Sequence, residues 1–166
     1  MTRSNASELI MIGLIGALIG APVTSWISSH FETIKRPYII VQITIFFSWL
    51  CFLIFDGHPP YYLLFVLFLI IGYGYGASTL TFAAVRQSFP LSESGIVSGF
   101  ANTGGFLSAV LLPFIFGNIL DYFQAISGSI KDSYSYSFII PTIFSIIGII
   151  GAVSLKENHK DTDQSM

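Results

Sequence analysis

The chain has 166 residues, 53% of them hydrophobic and only 10% charged, against roughly 25% charged in a soluble domain. A net charge of -2 without a basic stripe excludes nucleic acid as a partner. The single cysteine, Cys51, excludes a disulfide framework and a cysteine metal cluster, and the composition is that of a protein whose first partner is the lipid bilayer.

A helix crossing ~30 Å of hydrocarbon needs about 20 mostly apolar residues. Five such runs are predicted along the chain: about 9–27, 38–55, 61–85, 95–120 and 136–155. They make the fold class all-α, a polytopic membrane helix bundle of about five transmembrane helices over residues 1–156, with 157–166 as a polar cytoplasmic tail. A central Asp, Lys or Arg costs about 2.5 to 3.5 kcal/mol on insertion, and all 16 charged side chains lie between or beyond the runs. Pro37, Pro59, Pro60 and Pro90 mark the connections, where helices must stop or start. Arg3 before the first run gives it some likeness to a secretory signal, but the run is long for one, lacks a clear small-residue cleavage site, and precedes four further spans.

Basic residues give an orientation. If residues 29–37 face the cytoplasm, that side collects Lys35, Arg36, Arg86, Lys156 and Lys160, and the other only Arg3 and Lys131. The positive-inside rule then predicts the N terminus outside and the C terminus cytoplasmic, in the cell (inner) membrane.

Glycines recur four apart in three runs. Gly16 and Gly20 lie in the first, Gly72 and Gly76 in the third, and Gly95 and Gly99 in the fourth, where Gly104 and Gly105 extend the smooth face. In a soluble helix each internal Gly costs about 1 kcal/mol relative to Ala, whereas in lipid small residues let helix backbones touch. The expectation is helix packing at all eight. Asn102 has two open readings, a local bond to a neighbouring backbone or contact with a solute.

In the third run Tyr75, Thr79 and Phe82 fall on one helical face, with Tyr73 and Ser78 on others. "GYGYG" at 72–76 contains the triplet of potassium-selective filters, but it lies within an apolar run of about 25 residues with no re-entrant pore helix before it. "DGHPP" at 56–60 is a turn: Asp56 and His58 have no third ligand nearby, so no metal is expected. The motifs of metalloproteases, serine hydrolases and P-loop ATPases are absent, as are paired intramembrane carboxylates, and neither enzyme activity nor a cofactor is expected.

"PLSESGIVSGFANTGGFLSAVLLPFIFGNILD" (90–121) resembles the eleventh helix of major facilitator superfamily transporters, with its small-residue entry, Asn102, the Gly pair, Pro113, Gly117 and Asp121 at the exit. "LIGALIGAPVTSWISSHFETIKRPYI" (14–39) is similar to the family's eighth helix and following loop, and Lys35 and Arg36 match its basic pair. The loop departs elsewhere, with Ser25 and Glu32 where Gly would stand, Ser29 in place of Asp and His30 in place of Arg.

The resemblance implies helices eight to twelve of a transporter built from inverted three-helix repeats, hence a fragment, split-gene partner or degraded copy. It also implies alternating access on a small solute. The third span would line the pathway, with Tyr73, Tyr75, Ser78, Thr79 and Asn102 as candidate pathway residues; the rival reading is that they pack between helices and bond locally. The first and fourth spans would meet the missing N-terminal helices, the implied partner. The rival reading is a non-transporting membrane protein, a truncated remnant or a small assembly partner.

Overall fold

A computed structural model describes residues 3–155 of the chain; the predicted polar tail, Lys156 and Lys160 lie outside the described residues. The first two spans are single helices, α1 (Arg3–His30) and α2 (Lys35–Ile54). The third is two helices, α3 (Tyr61–Gly76) and α4 (Thr79–Ser88). The fourth is α5 (Leu91–Ser127), and the fifth is again divided, into α6 (Ile130–Ser137) and α7 (Ile139–Ser154). Five segments are long and apolar enough to cross a membrane.

Helix starts follow the prolines. Pro60 and Pro90 precede α3 and α5 in an extended backbone conformation, and Pro37 sits in the first turn of α2, where its missing N–H removes no helical bond. α5 ends on Gly128 at φ 64, the left-handed C-terminal cap that glycine adopts without steric cost.

Two details go beyond the apolar pattern. The third span is not continuous: around Ala77 and Ser78 the bonds tighten, with the Ser78 N–H donating to the Tyr75 carbonyl and the Leu80 N–H to that of Ala77. Three glycines in five residues weaken the helix there, while packing holds Gly72 and Gly76 in place. The fifth span starts at Ile130 rather than about 136, because "IKDSYSYS" is helical. Its Ser129 cap accepts from the Asp132 N–H at 3.4 Å. The break at Phe138 follows from Pro141, which has no N–H for the Ser137 carbonyl and crowds it.

α1 and α3 run parallel and pack backbone to backbone. A Cβ at Gly16 would strike the Leu69 carbonyl, one at Gly20 the Tyr73 carbonyl, one at Gly72 the Gly13 carbonyl and one at Gly76 the Ala17 carbonyl. α2 runs antiparallel to α3, with Ile45 filling the space beside Gly74. It also runs antiparallel to α7, since Phe52 stacks on Phe138 at 4.6 Å while Gln42 lies against Gly148. Leu9, Phe52, Leu64 and Leu67 form one buried cluster; Ile34, Leu80 and Ala84 form another near the opposite end.

A second small-residue surface escaped the glycine pattern. Ser133, Ser137, Pro141 and Ser145 lie four apart and are buried along α6 and α7. The serine hydroxyls return to their own helix, Ser133 to the Ser129 carbonyl and Ser137 to that of Ser133, each at 2.8 Å. A serine that bonds inside its helix presents little more bulk than alanine to its neighbour, so it serves the same close approach.

α5 meets α4 near its start and α6 and α7 in its second half, where Phe116 lies against Phe138, and no residue of it is buried. At 1.5 Å per residue its 37 residues measure about 55 Å, well beyond the hydrocarbon core.

Candidate functional site

The candidate surface lies on the third span beside its break. α3 turns Gly72 and Gly76 toward α1 and Gly74 toward α2, leaving a third face uncovered. Tyr75 stands on that face, 78% exposed, followed by Thr79 and Phe82, also exposed. Ser78 is exposed at the break itself, and the Thr79 hydroxyl donates to the Gly76 carbonyl at 3.3 Å. The result is a phenol, two small hydroxyls and a phenyl ring where the helix is interrupted, a surface able to stack on a ring and exchange hydrogen bonds.

Tyr73 is not part of it. It points between α1, α2 and α3, accepts a hydrogen bond from the Thr24 hydroxyl at 2.7 Å, and lines a hollow of about 150 Å³. Thr24, which is 1% exposed, is the partner that spacing alone did not reveal.

Asn102 is exposed on α5, as are Gly99, Gly104 and Gly105 around it. A Cβ at Gly95, Gly99, Gly104 or Gly105 would meet nothing within 4 Å. The eight glycines therefore divide: four lie at the contact of α1 with α3, and four stand open on α5 without a neighbour among the described residues. Lys35 and Arg36 open α2 after a connection of only four residues. In that connection Glu32 takes φ 51, a left-handed conformation that favours glycine. This is the position where the resemblance leads one to expect a Gly.

Seven residues before Tyr75 on the same stripe, Phe68 lines a cavity of about 720 Å³ at the end of the bundle that carries the α2–α3 and α5–α6 turns. Its wall includes Phe52, Phe138 and Tyr134, and His58 of the turn stands at 6.3 Å from the Tyr134 ring. No group of three or more possible metal-ligating side chains occurs among the described residues.

The family model of the Major Facilitator Superfamily matches residues 1–165. The chain belongs to that superfamily. It is also similar to the gentisate transporter of Corynebacterium glutamicum, at 30% identity over 107 residues, which is 64% of this chain and 23% of the relative. The chain thus spans about a quarter of the curated relative it matches. No solved structure matches it. Membership in the superfamily, with five helices suited to crossing a bilayer, makes this a multi-pass membrane protein.

Proposed function

We propose that the chain forms part of a secondary active transporter that moves a small organic solute by alternating access, its spans corresponding to helices eight to twelve of the superfamily fold. The observation that carries this reading is the exposed Tyr75–Thr79–Phe82 stripe at the interruption of the third span. Irregular helix within a membrane is tolerated where it lines a cavity, and here the N–H groups of Ala77, Ser78 and Leu80 are paired within the chain, which leaves the side chains of the stripe to meet the solute. The C. glutamicum relative is named for gentisate, and a ring-bearing solute suits a phenol and a phenyl separated by hydroxyls. The N-terminal transporter helices are the partner we assign to the open face of α5 and to the other side of the pathway.

The orientation we assign is the first end of α1 outside and the tail in the cytoplasm of the cell (inner) membrane. Support comes from charge and direction together. α1, α3–α4 and α6–α7 run one way and α2 and α5 the other, which puts Lys35, Arg36 and Arg86 at one end and Arg3 and Lys131 at the other.

The test is uptake of labelled gentisate in cells expressing the chain together with the N-terminal helices. Tyr75→Ala and Thr79→Val are expected to lower uptake at least fivefold at unchanged membrane abundance. Uptake indifferent to both substitutions defeats the reading. In a Cys51→Ser background, Lys131→Cys is expected to react with an impermeant maleimide from outside and Arg86→Cys to be protected; the reverse result overturns the orientation.

A further inference from the structure

A polar cavity of about 390 Å³ lies at the end of the bundle that carries the α1–α2 connection. Ser25 and Ser29 of α1, Glu32 of the connection and Gln87 of α4 line it, all four exposed, over a floor that includes the buried side chains of Ile34 and Leu80.

Charge here is mixed in sign. Glu32 is the ionised side chain on the wall, and Lys35 and Arg36 open α2 three and four residues after it. The start of α2 favours an anion. Its peptide dipoles add positive charge to the two cations, Ile34 in the cap position brings no polar side chain, and the first turn contains no acid.

The finish of the last span leads to the same place. Leu155 leaves α7 with extended backbone, at φ -62 and ψ 125, and packs against the buried cluster of Ile34, Leu80 and Ala84. Ile34 and Leu80 are also the cavity floor, so the chain enters residues 156–166, "KENHKDTDQSM", from a point beside that floor. Glu157 is two residues beyond Leu155, a backbone reach of about 7 Å at most, and Lys160 follows three residues later.

We propose that residues 156–163 dock on this cavity, the Glu157 carboxylate at the start of α2 beside Lys35 and Arg36 and the Lys160 ammonium toward Glu32. The signs match on both sides. A surface ion pair is weak by itself, but a segment tethered two residues from its site meets that site at high effective concentration. Docking fastens the end of the last span to the first connection and covers Ser25, Ser29 and Gln87. It is independent of the transport reading, since neither a solute nor the Tyr75 stripe enters it.

The experiment follows the reaction of single cysteines with a water-soluble maleimide in the full, purified chain, in a Cys51→Ser background. Ser29→Cys and Gln87→Cys, on the walls given by α1 and α4, are expected to react at least fivefold faster once Glu157→Lys is added. Ser92→Cys, exposed at the start of α5 and outside the cavity lining, should change by less than twofold. Adding Lys35→Glu and Arg36→Glu to Glu157→Lys reverses both sides of the pairing and should bring the two wall positions back to within twofold of their slow rates. Wall cysteines indifferent to Glu157→Lys overturn the proposal. So does an acceleration that Ser92→Cys shares, which is general loosening, or a charge reversal that restores nothing. Protection that fades on dilution of the protein overturns it as well, because the segment would then be covering the cavity of a second copy.

Discussion

Replacing Gly72 by Ala sets intramembrane packing against helix propensity with opposite signs. A Cβ at Gly72 would sit 2.6 Å from the Gly13 carbonyl carbon and 2.8 Å from its Cα, with the carbonyl oxygen nearer still. Ordinary contact begins near 3.4 Å, so the helices must part by about 0.8 Å or more. A gap of 0.5–1 Å forfeits a quarter to a half of each dispersion contact, and it would spread along the run that also includes Gly16, Gly20 and Gly76. Overpacking of this kind costs about 1–3 kcal/mol, against which alanine recovers about 1 kcal/mol of helix propensity. Because four glycines share this contact, the upper part of that cost, about 2–3 kcal/mol, applies, and the expected net effect is a destabilisation of about 1–2 kcal/mol. At Gly99 a Cβ meets nothing, so Gly99→Ala in the same chain should be neutral or stabilising by up to about 1 kcal/mol. Reversible unfolding of the purified chain in mixed micelles, titrated with SDS, reads both. Equal midpoints for the two variants, or a Gly72→Ala chain as stable as the parent, would refute the assignment of α1–α3 contact to these glycines.

Tyr73→Phe removes the bond from Thr24 and should cost about 0.6–2 kcal/mol, the span seen for interhelical bonds in lipid. The low end is expected because the threonine hydroxyl can turn back to its own helix; SDS titration measures it, and uptake should hold. Glu32→Gly relieves a left-handed residue worth about 1–2 kcal/mol while freeing the unfolded chain by about 0.4–1 kcal/mol. It should therefore raise stability by up to about 1 kcal/mol where Glu32→Ala does not, and identical thermal melts for the two would refute the strain. Pro141→Ala restores a donor to the Ser137 carbonyl, so amide exchange at residues 138–142 should slow; unchanged exchange would mean that packing, not the proline, divides the last span.

The bilayer as solvent, the number of spans and the superfamily were legible in one dimension, because hydrocarbon admits few charges and sets a minimum helix length. So was the use of Gly16, Gly20, Gly72 and Gly76 as small surfaces, although not which surface each would meet. Periodicity gives the face of a residue on its own helix and says nothing of what stands opposite. Tyr73 and Tyr75, two residues apart, illustrate this: one is bonded to Thr24 between helices, the other stands open beside a break that the unbroken run of apolar residues concealed. The buried serines of α6 and α7 were hidden for a related reason, since a polar residue type becomes a small apolar surface only once its hydroxyl has found its own backbone. Composition determined what this chain dissolves in and roughly where it crosses. Only the packing of helix against helix decided which glycines touch, which tyrosine is exposed, and that an aromatic cavity forms between segments distant in sequence.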